Sequence, residues 1–120
     1  MEQLNIDGEL QKIRARNADV SSATILKTET LRVVLMAIKA GARLHEHHAD
    51  GRLLLQVLQG EIEFEAESEK RALQTGMIVS VDAMVLHAVA AVTDASLLLT
   101  IAWPHTQPVE KQPHRNIGYQ

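Results

Sequence analysis

The sequence contains no cysteine and very few aromatic residues, with one Phe, one Trp and one Tyr among 120 residues. The absence of cysteine excludes disulfides, thiolate metal sites and thiol catalysis. The scarcity of aromatic residues predicts a core built from Leu, Val, Ile, Ala and Met. The length predicts a single domain, since domains typically contain about 100–150 residues.

The chain also lacks an excess of positive charge. Its formal net charge is −3 and its pI is near 6.0, whereas nucleic-acid-binding proteins normally carry a basic face. The N-terminus has no basic start followed by an apolar run, and no uncharged stretch reaches the ~20 residues of a membrane helix. We therefore predict a soluble, cytoplasmic protein with no nucleic-acid or membrane partner.

Composition divides the chain into three segments. Residues 1–23 begin polar and charged and predict either an N-terminal arm or a short helix. Residues 24–104 are rich in branched aliphatic residues and predict the folded domain. Residues 105–120, which contain His105 and His114, predict an extended polar tail.

Aliphatic runs of strand length recur through the middle segment and predict an all-β domain. Gly and Asp residues punctuate the runs at the spacing of an antiparallel sandwich or barrel. The runs cover residues 31–38, 53–58, 77–81, 85–92 and 95–103. Leu53–Leu55 and Leu97–Leu99 are apolar at consecutive positions, and so on both strand faces. One face of the sheet is therefore expected to meet a second subunit, as in a homodimer.

Glutamate alternates with other residues from Glu61 to Glu69, which is the period of a β-strand. If the strand continued throughout, all five glutamates would point to one face. That face is either a solvated surface or an acidic ladder for cations. We favour the solvated surface, because carboxylates along an exposed strand form no closed coordination sphere.

Histidine is the one enriched residue, with six in the chain. His45, His47 and His48 lie together, and His87 follows much later. Residues two apart in a strand share a face, so His45 and His47 can direct their imidazoles to one point. A strand that brings in His87 would complete a nitrogen-rich site for Zn, Fe, Ni, Cu or Mn. His48 is the substitute third ligand, provided that a bulge redirects it.

At these positions the sequence resembles the cupin superfamily. The first cupin motif runs Gly, five residues, His-x-His, three or four residues, Glu, six residues, Gly, and Gly41, His47 and Gly60 fit it without a gap. Ala49 stands at the second histidine position and Leu53 at the glutamate position. The second motif runs Gly, five residues, Pro-x-Gly, two residues, His, three residues, Asn. Its positions are occupied by Gly76, Asp82, Met84, His87 and Ala91.

The resemblance implies a double-stranded β-helix, a jelly-roll barrel of two antiparallel sheets around one pocket. It implies that His47 and His87 are metal ligands and that the protein binds a small organic molecule. His45 does not match the motif, but it shares a strand face with His47 and is therefore the expected third ligand. If the protein is an enzyme, the expected class is a metal-dependent oxygenase or isomerase. The alternative is a metal-free cupin that binds or senses a small molecule. The expected pocket lining is Leu55, Val57, Ile62, Phe64, Val79, Val85 and Val89.

Overall fold

The computed structural model describes residues 1–104, so the predicted tail, with His105 and His114, lies outside the described residues. One helix, α1 (Ile6–Arg14), precedes nine strands. The strands are β1 (Val20–Lys27), β2 (Leu31–Ile38), β3 (Arg43–His47), β4 (Arg52–Gln59), β5 (Glu61–Ala66), β6 (Glu69–Gln74), β7 (Ile78–Val81), β8 (His87–Ala91) and β9 (Ala95–Ala102). Within residues 1–104, no helix has the length and apolar character that spanning a bilayer requires.

The strands form two antiparallel sheets, which confirms the predicted jelly-roll architecture. The five-stranded sheet has the order β1-β2-β9-β4-β7, and the four-stranded sheet has the order β3-β8-β5-β6. Alternate residues of each strand point between the sheets and form an aliphatic core that contains one aromatic residue. Its fully buried members include Ile38, Leu53, Leu55, Val57, Ile62, Phe64 and Leu97. All seven residues predicted to line the pocket belong to this core or pack against it.

The N-terminal segment contains helix α1, followed by β1, which begins at Val20, ahead of the expected domain boundary at residue 24. Asn5 caps the helix, because its Oδ1 accepts a hydrogen bond from the Gly8 amide at 3.1 Å. Leu10 and Ile13 are buried against Leu35 on the outer face of the five-stranded sheet. The helix therefore covers part of the second apolar face that the sequence had assigned to a partner subunit.

The glutamate alternation does not continue through Glu69. Strand β5 ends at Ala66, and Glu67 and Ser68 form a tight turn with φ of 53° and 66°. Glu69 begins β6 opposite Ala66, on the sheet face opposite to that of Glu65. The prediction that all five glutamates share one face is therefore wrong for Glu67 and Glu69, because a two-residue hairpin turn interrupts the strand.

Candidate functional site

Strands β3 and β8 are neighbours, and their pairing brings two of the predicted site residues together at one end of the barrel. His47 is the last residue of β3, His87 is the first of β8, and the two are cross-strand partners. Their imidazole rings meet edge to face with centroids 4.2 Å apart and an interplanar angle of 63°. The sequence had placed both residues in one site, and the structure shows them in contact.

Each of the two imidazoles is oriented by its own backbone. His47 Nδ1 lies 3.0 Å from the carbonyl oxygen of His45, and His87 Nδ1 lies 3.1 Å from that of Val85. A carbonyl oxygen can only accept, so both Nδ1 atoms carry the proton in the neutral rings. The Nε2 atom of each ring then keeps its lone pair for a ligand or a metal ion.

His87 is the more buried of the pair, with 2% of its surface exposed. Its ring stacks on Phe64, with centroids 5.8 Å apart and planes inclined by 20°. Burial, the largest effect, lowers the pKa of His87 below its ordinary value of 6.5. The hydrogen bond to Val85 opposes this shift, and the nearby charges of His47 and His48 lower the pKa further. His87 is therefore held as the neutral base.

His45 and His48 are both exposed. Leu44 pairs with Val89 and His47 pairs with His87, so the register shifts by one residue between these two pairs. This bulge interrupts the regular alternation on which the expectation for His45 rested. Instead of joining the two rings, His45 contributes its backbone carbonyl to His47. His48 follows the end of β3 and lies close enough to His87 to influence its pKa.

The two remaining ligand positions of the first motif hold apolar residues that belong to the interior. Leu53 is 1% exposed in the core, and Ala49 packs against the same core. Among residues 1–104, no three His, Cys, Asp or Glu side chains lie close enough to hold a metal ion together. Divalent transition metals normally take at least three protein ligands. The two donors present, His47 and His87, are too few for such a site. Neither His45 nor His48 joins them to form a group of three.

Two loops frame the histidine pair and are joined by a backbone hydrogen bond. The Met84 amide donates to the Ala49 carbonyl at 2.8 Å. Met84 has φ of 70° at the position where the second motif has glycine, and 58% of its surface is exposed. The loop thus keeps the left-handed backbone of a glycine while it presents a methionine side chain.

A cleft lies between the β5–β6 hairpin and β7, and it adjoins the histidine pair through Phe64, on which His87 stacks. The sequence did not indicate this cleft. Its lining includes Phe64, Glu69 and Arg71. The inward position of Glu69 follows from the turn at Glu67 and Ser68, and Glu-Ser is not among the dipeptides that favour this turn. The sequence therefore carried no clear signal for these cleft residues.

The jelly-roll barrel of two antiparallel sheets is the fold of the cupins. The family model described as "Cupin domain" matches residues 32–103, more than half of the chain. The chain therefore belongs to the cupin family, which confirms the resemblance of its two motifs. No curated protein sequence matches it.

Several solved structures share this fold. A conserved protein of unknown function from Streptococcus pyogenes is similar with a TM-score of 0.71 and 21% identity, over 88% of this chain and 90% of that one. A cupin superfamily protein from Desulfitobacterium hafniense has a TM-score of 0.66 and 23% identity, over 69% and 76% of the two chains. A variant of salicylate 1,2-dioxygenase from Pseudoaminobacter salicylatoxidans has a TM-score of 0.68 and 16% identity, over 81% of this chain and 32% of that one. At identities this low, the structural similarity establishes a common fold and nothing about activity.

Proposed function

We propose that this cupin binds a small organic molecule at the His47–His87 pair and contacts it through the Nε2 atoms. The observation that carries the proposal is the pairing of both Nδ1–H groups with backbone carbonyls. This arrangement leaves one hydrogen-bond acceptor free on each of two imidazoles that are in contact at the end of the barrel. A ligand that donates a hydroxyl or acidic proton fits these acceptors, because a neutral imidazole accepts either a hydrogen bond or the proton itself.

The surroundings of the pair favour retention of a partly apolar ligand. Phe64 stacks on His87, and Leu53 and Ala49 replace the polar residues of the cupin motif. Small-molecule sites are mostly apolar with a few convergent polar groups, which matches this combination.

The test uses the imidazole ¹⁵N resonances of the labelled, chelator-treated protein as reporters. We screen small fragments that each carry a phenol, an alcohol, a carboxylic acid or an amide. Fragments with an O–H donor are expected to shift the Nε2 resonances of His47 and His87. Their binding is expected to be lost in His47→Ala and in His87→Asn, which keeps a donor for the Val85 carbonyl but removes Nε2.

His45→Ala is the matched control, because it removes an exposed imidazole from the same strand and leaves the backbone carbonyl that His47 uses. This variant is expected to bind the fragments as the wild type does. If no fragment shifts either ring, or if binding survives both His47→Ala and His87→Asn, the proposal is wrong.

The second candidate function is binding of a divalent transition metal, one of Zn, Fe, Ni, Cu or Mn. The contact between two imidazoles with unprotonated Nε2 atoms favours it, as does the effect of the nearby His48 on the pKa of His87. Because two protein donors are too few for a tight site, the remaining positions would go to His48, solvent or the organic ligand.

Elemental analysis after reconstitution tests the metal candidate. Mere traces of every transition metal in the wild type would refute it. Metal retained by the His47→Ala, His87→Ala double variant would refute the ligand assignment instead. A greater loss of affinity in His48→Ala than in His45→Ala would identify His48 as the third ligand.

We further propose that the outer face of the five-stranded sheet pairs with a second copy of the chain. Helix α1 covers the part of this face around Leu35, whereas Ile78 on β7 is 55% exposed, opposite Gln56 and diagonal to the half-buried Leu54. Light scattering is expected to report a dimer for the wild type and a monomer for Ile78→Lys. Val92→Lys introduces the same charge at an equally exposed position outside this sheet and is expected to remain dimeric. A monomeric wild type would contradict the proposal.

A further inference from the structure

The cleft between the β5–β6 hairpin and β7 shares two residues with the surroundings of the histidine pair. Phe64 lines the cleft and also stacks on His87, and Ala66, which lines it too, is the cross-strand partner of His87. The cleft has a volume of about 90 Å³. A ligand that occupies it therefore contacts Phe64, the residue on which His87 stacks.

One wall of the cleft carries charges of both signs. Arg71 is opposite Phe64 and Glu69 is opposite Ala66, so both side chains are on the inner face of the sheet. They form an ion pair at 3.1 Å, with 60% and 62% of the two side chains exposed. Such an exposed pair contributes little to stability, so each partner can exchange the other for a ligand group at small cost.

The charges on this wall select among ligand types. Glu67 also lines the cleft, so two carboxylates accompany one guanidinium. A ligand with only a carboxylate would bind Arg71 but would face both glutamates. A ligand with only an ammonium group would bind a glutamate but would make no favourable charge contact with Arg71. A zwitterion gives each partner of the Arg71–Glu69 pair a new counter-charge, while the exposed Glu67 stays solvated.

The rest of the cleft fits an aliphatic group of limited size. The apolar residues Val79 and Val81 of β7 line it together with Phe64. This apolar part of the cleft matches a short aliphatic side chain.

We propose that the cleft binds a small zwitterion of the aliphatic amino acid type. Its carboxylate binds Arg71, its ammonium group binds Glu69, and its side chain contacts Val79 and Val81. The proposal goes beyond the function proposed above, because the zwitterion has no O–H donor for the histidine pair and occupies the cleft beside it.

The test compares three probes that share a branched aliphatic group. L-leucine carries both charges, isocaproate only the carboxylate and isoamylamine only the ammonium group. Affinities are measured by NMR titration, with the backbone amides of Ala66 and Arg71 as reporters. Leucine is expected to bind at least about tenfold more tightly than either of the other two, since each charge-assisted contact is worth roughly that factor.

Variants on one strand separate a specific contact from general electrostatics. Arg71→Gln is expected to weaken leucine binding about tenfold or more, but not to weaken isoamylamine binding, because it frees Glu69 from its ion pair. Glu69→Gln is expected to weaken leucine binding similarly, but not to weaken isocaproate binding, because it removes one of the carboxylates that oppose this probe. Lys70→Gln is the matched control, because Lys70 pairs with Glu65 on the opposite face of the sheet. It is expected to change every affinity less than about twofold.

Equal binding of leucine and isocaproate, or equal loss in Arg71→Gln and Lys70→Gln, would overturn the zwitterion proposal. So would a failure of all three probes to shift the Ala66 and Arg71 amides. If hydroxyl-bearing fragments still shift the His47 and His87 resonances, only the ligand class proposed for the cleft is wrong. If they do not, the function proposed for the histidine pair is wrong as well.

Discussion

The imidazoles of His47 and His87 meet edge to face with centroids 4.2 Å apart, although they come from strands that are distant in the sequence. The contact depends on a one-residue shift of register in β3, which places His47 opposite His87. Each ring also donates its Nδ1 proton to a carbonyl two residues before it in the chain. The pair is thus fixed by the local backbone of both strands before any ligand is bound.

The protein is expected to lose stability as the pH falls below the ordinary histidine pKa of 6.5. The pKa of His87 is lowered in the folded state, chiefly by burial, so below pH 6.5 the unfolded chain binds a proton that the folded protein does not. The loss of unfolding free energy due to His87 is absent well above pH 6.5. It grows as the pH falls towards the folded-state pKa of His87 and is constant below that pKa. Thermal melts of the chelator-treated protein from pH 8 to pH 5 measure the effect.

His87→Asn is the comparison for these melts, because it removes this titrating group while the other ionisable groups remain. Its unfolding free energy is expected to fall less steeply with decreasing pH than that of the wild type. Parallel pH profiles for the two proteins would contradict the lowered pKa of His87.

The two glycines that delimit the first motif are expected to differ in their tolerance of alanine. Both have positive φ, 85° at Gly41 and 94° at Gly60. A Cβ at Gly41 would meet no atom within 4 Å, whereas one at Gly60 would collide with the carbonyl oxygen of Asp94. Gly41→Ala should cost about 1–2 kcal/mol from backbone strain alone. Gly60→Ala should cost about 2–5 kcal/mol, because steric overlap adds to the strain.

Urea denaturation of the two variants checks this difference, and each serves as the control for the other. Equal losses of unfolding free energy would show that the backbone near Asp94 adjusts freely.

Met84→Gly is expected to stabilise the protein by about 1 kcal/mol, since glycine adopts φ of 70° without the strain of a larger residue. Met84→Ala removes the same exposed side chain and keeps the strained φ, so it is expected to show no such gain. Comparison of the two melting temperatures isolates the backbone effect. A larger gain for Met84→Ala would instead attribute the cost to the exposed methionine side chain.

Helix α1 is expected to depend on Arg14, which donates hydrogen bonds to Gln59 Oε1 at 2.9 Å and to Ser96 Oγ. Ser96 is fully buried, so Arg14→Ala removes a hydrogen-bond partner from an interior hydroxyl and should cost about 1–2 kcal/mol. A double-mutant cycle with Ser96→Ala measures the coupling. Lys12→Ala, on the same helix and largely exposed, should change stability by less than about 0.5 kcal/mol. Additive effects of Arg14→Ala and Ser96→Ala would show that the contact contributes nothing.

The sequence by itself determined the fold and the central pair of the site. Branched aliphatic runs separated by glycine specify strands, because side chains that alternate across a strand can bury one face. The spacing of Gly41, His47 and Gly60 was sufficient to indicate a cupin, and the matching position of His87 identified its partner. These features are local patterns of residue type and spacing, and so they can be recognised from the sequence alone.

Only the tertiary structure decided which neighbours complete the site. The bulge in β3 interrupted the alternation that would place His45 and His47 on one face, and the turn at Glu67 and Ser68 turned Glu69 inward beside Arg71. A shift of one residue exchanges the two faces of a strand, so small irregularities outweigh the ideal period of two. The sequence therefore determined that histidines gather at one end of a barrel. The folded backbone determined that two of them meet and that a charged cleft lies beside them.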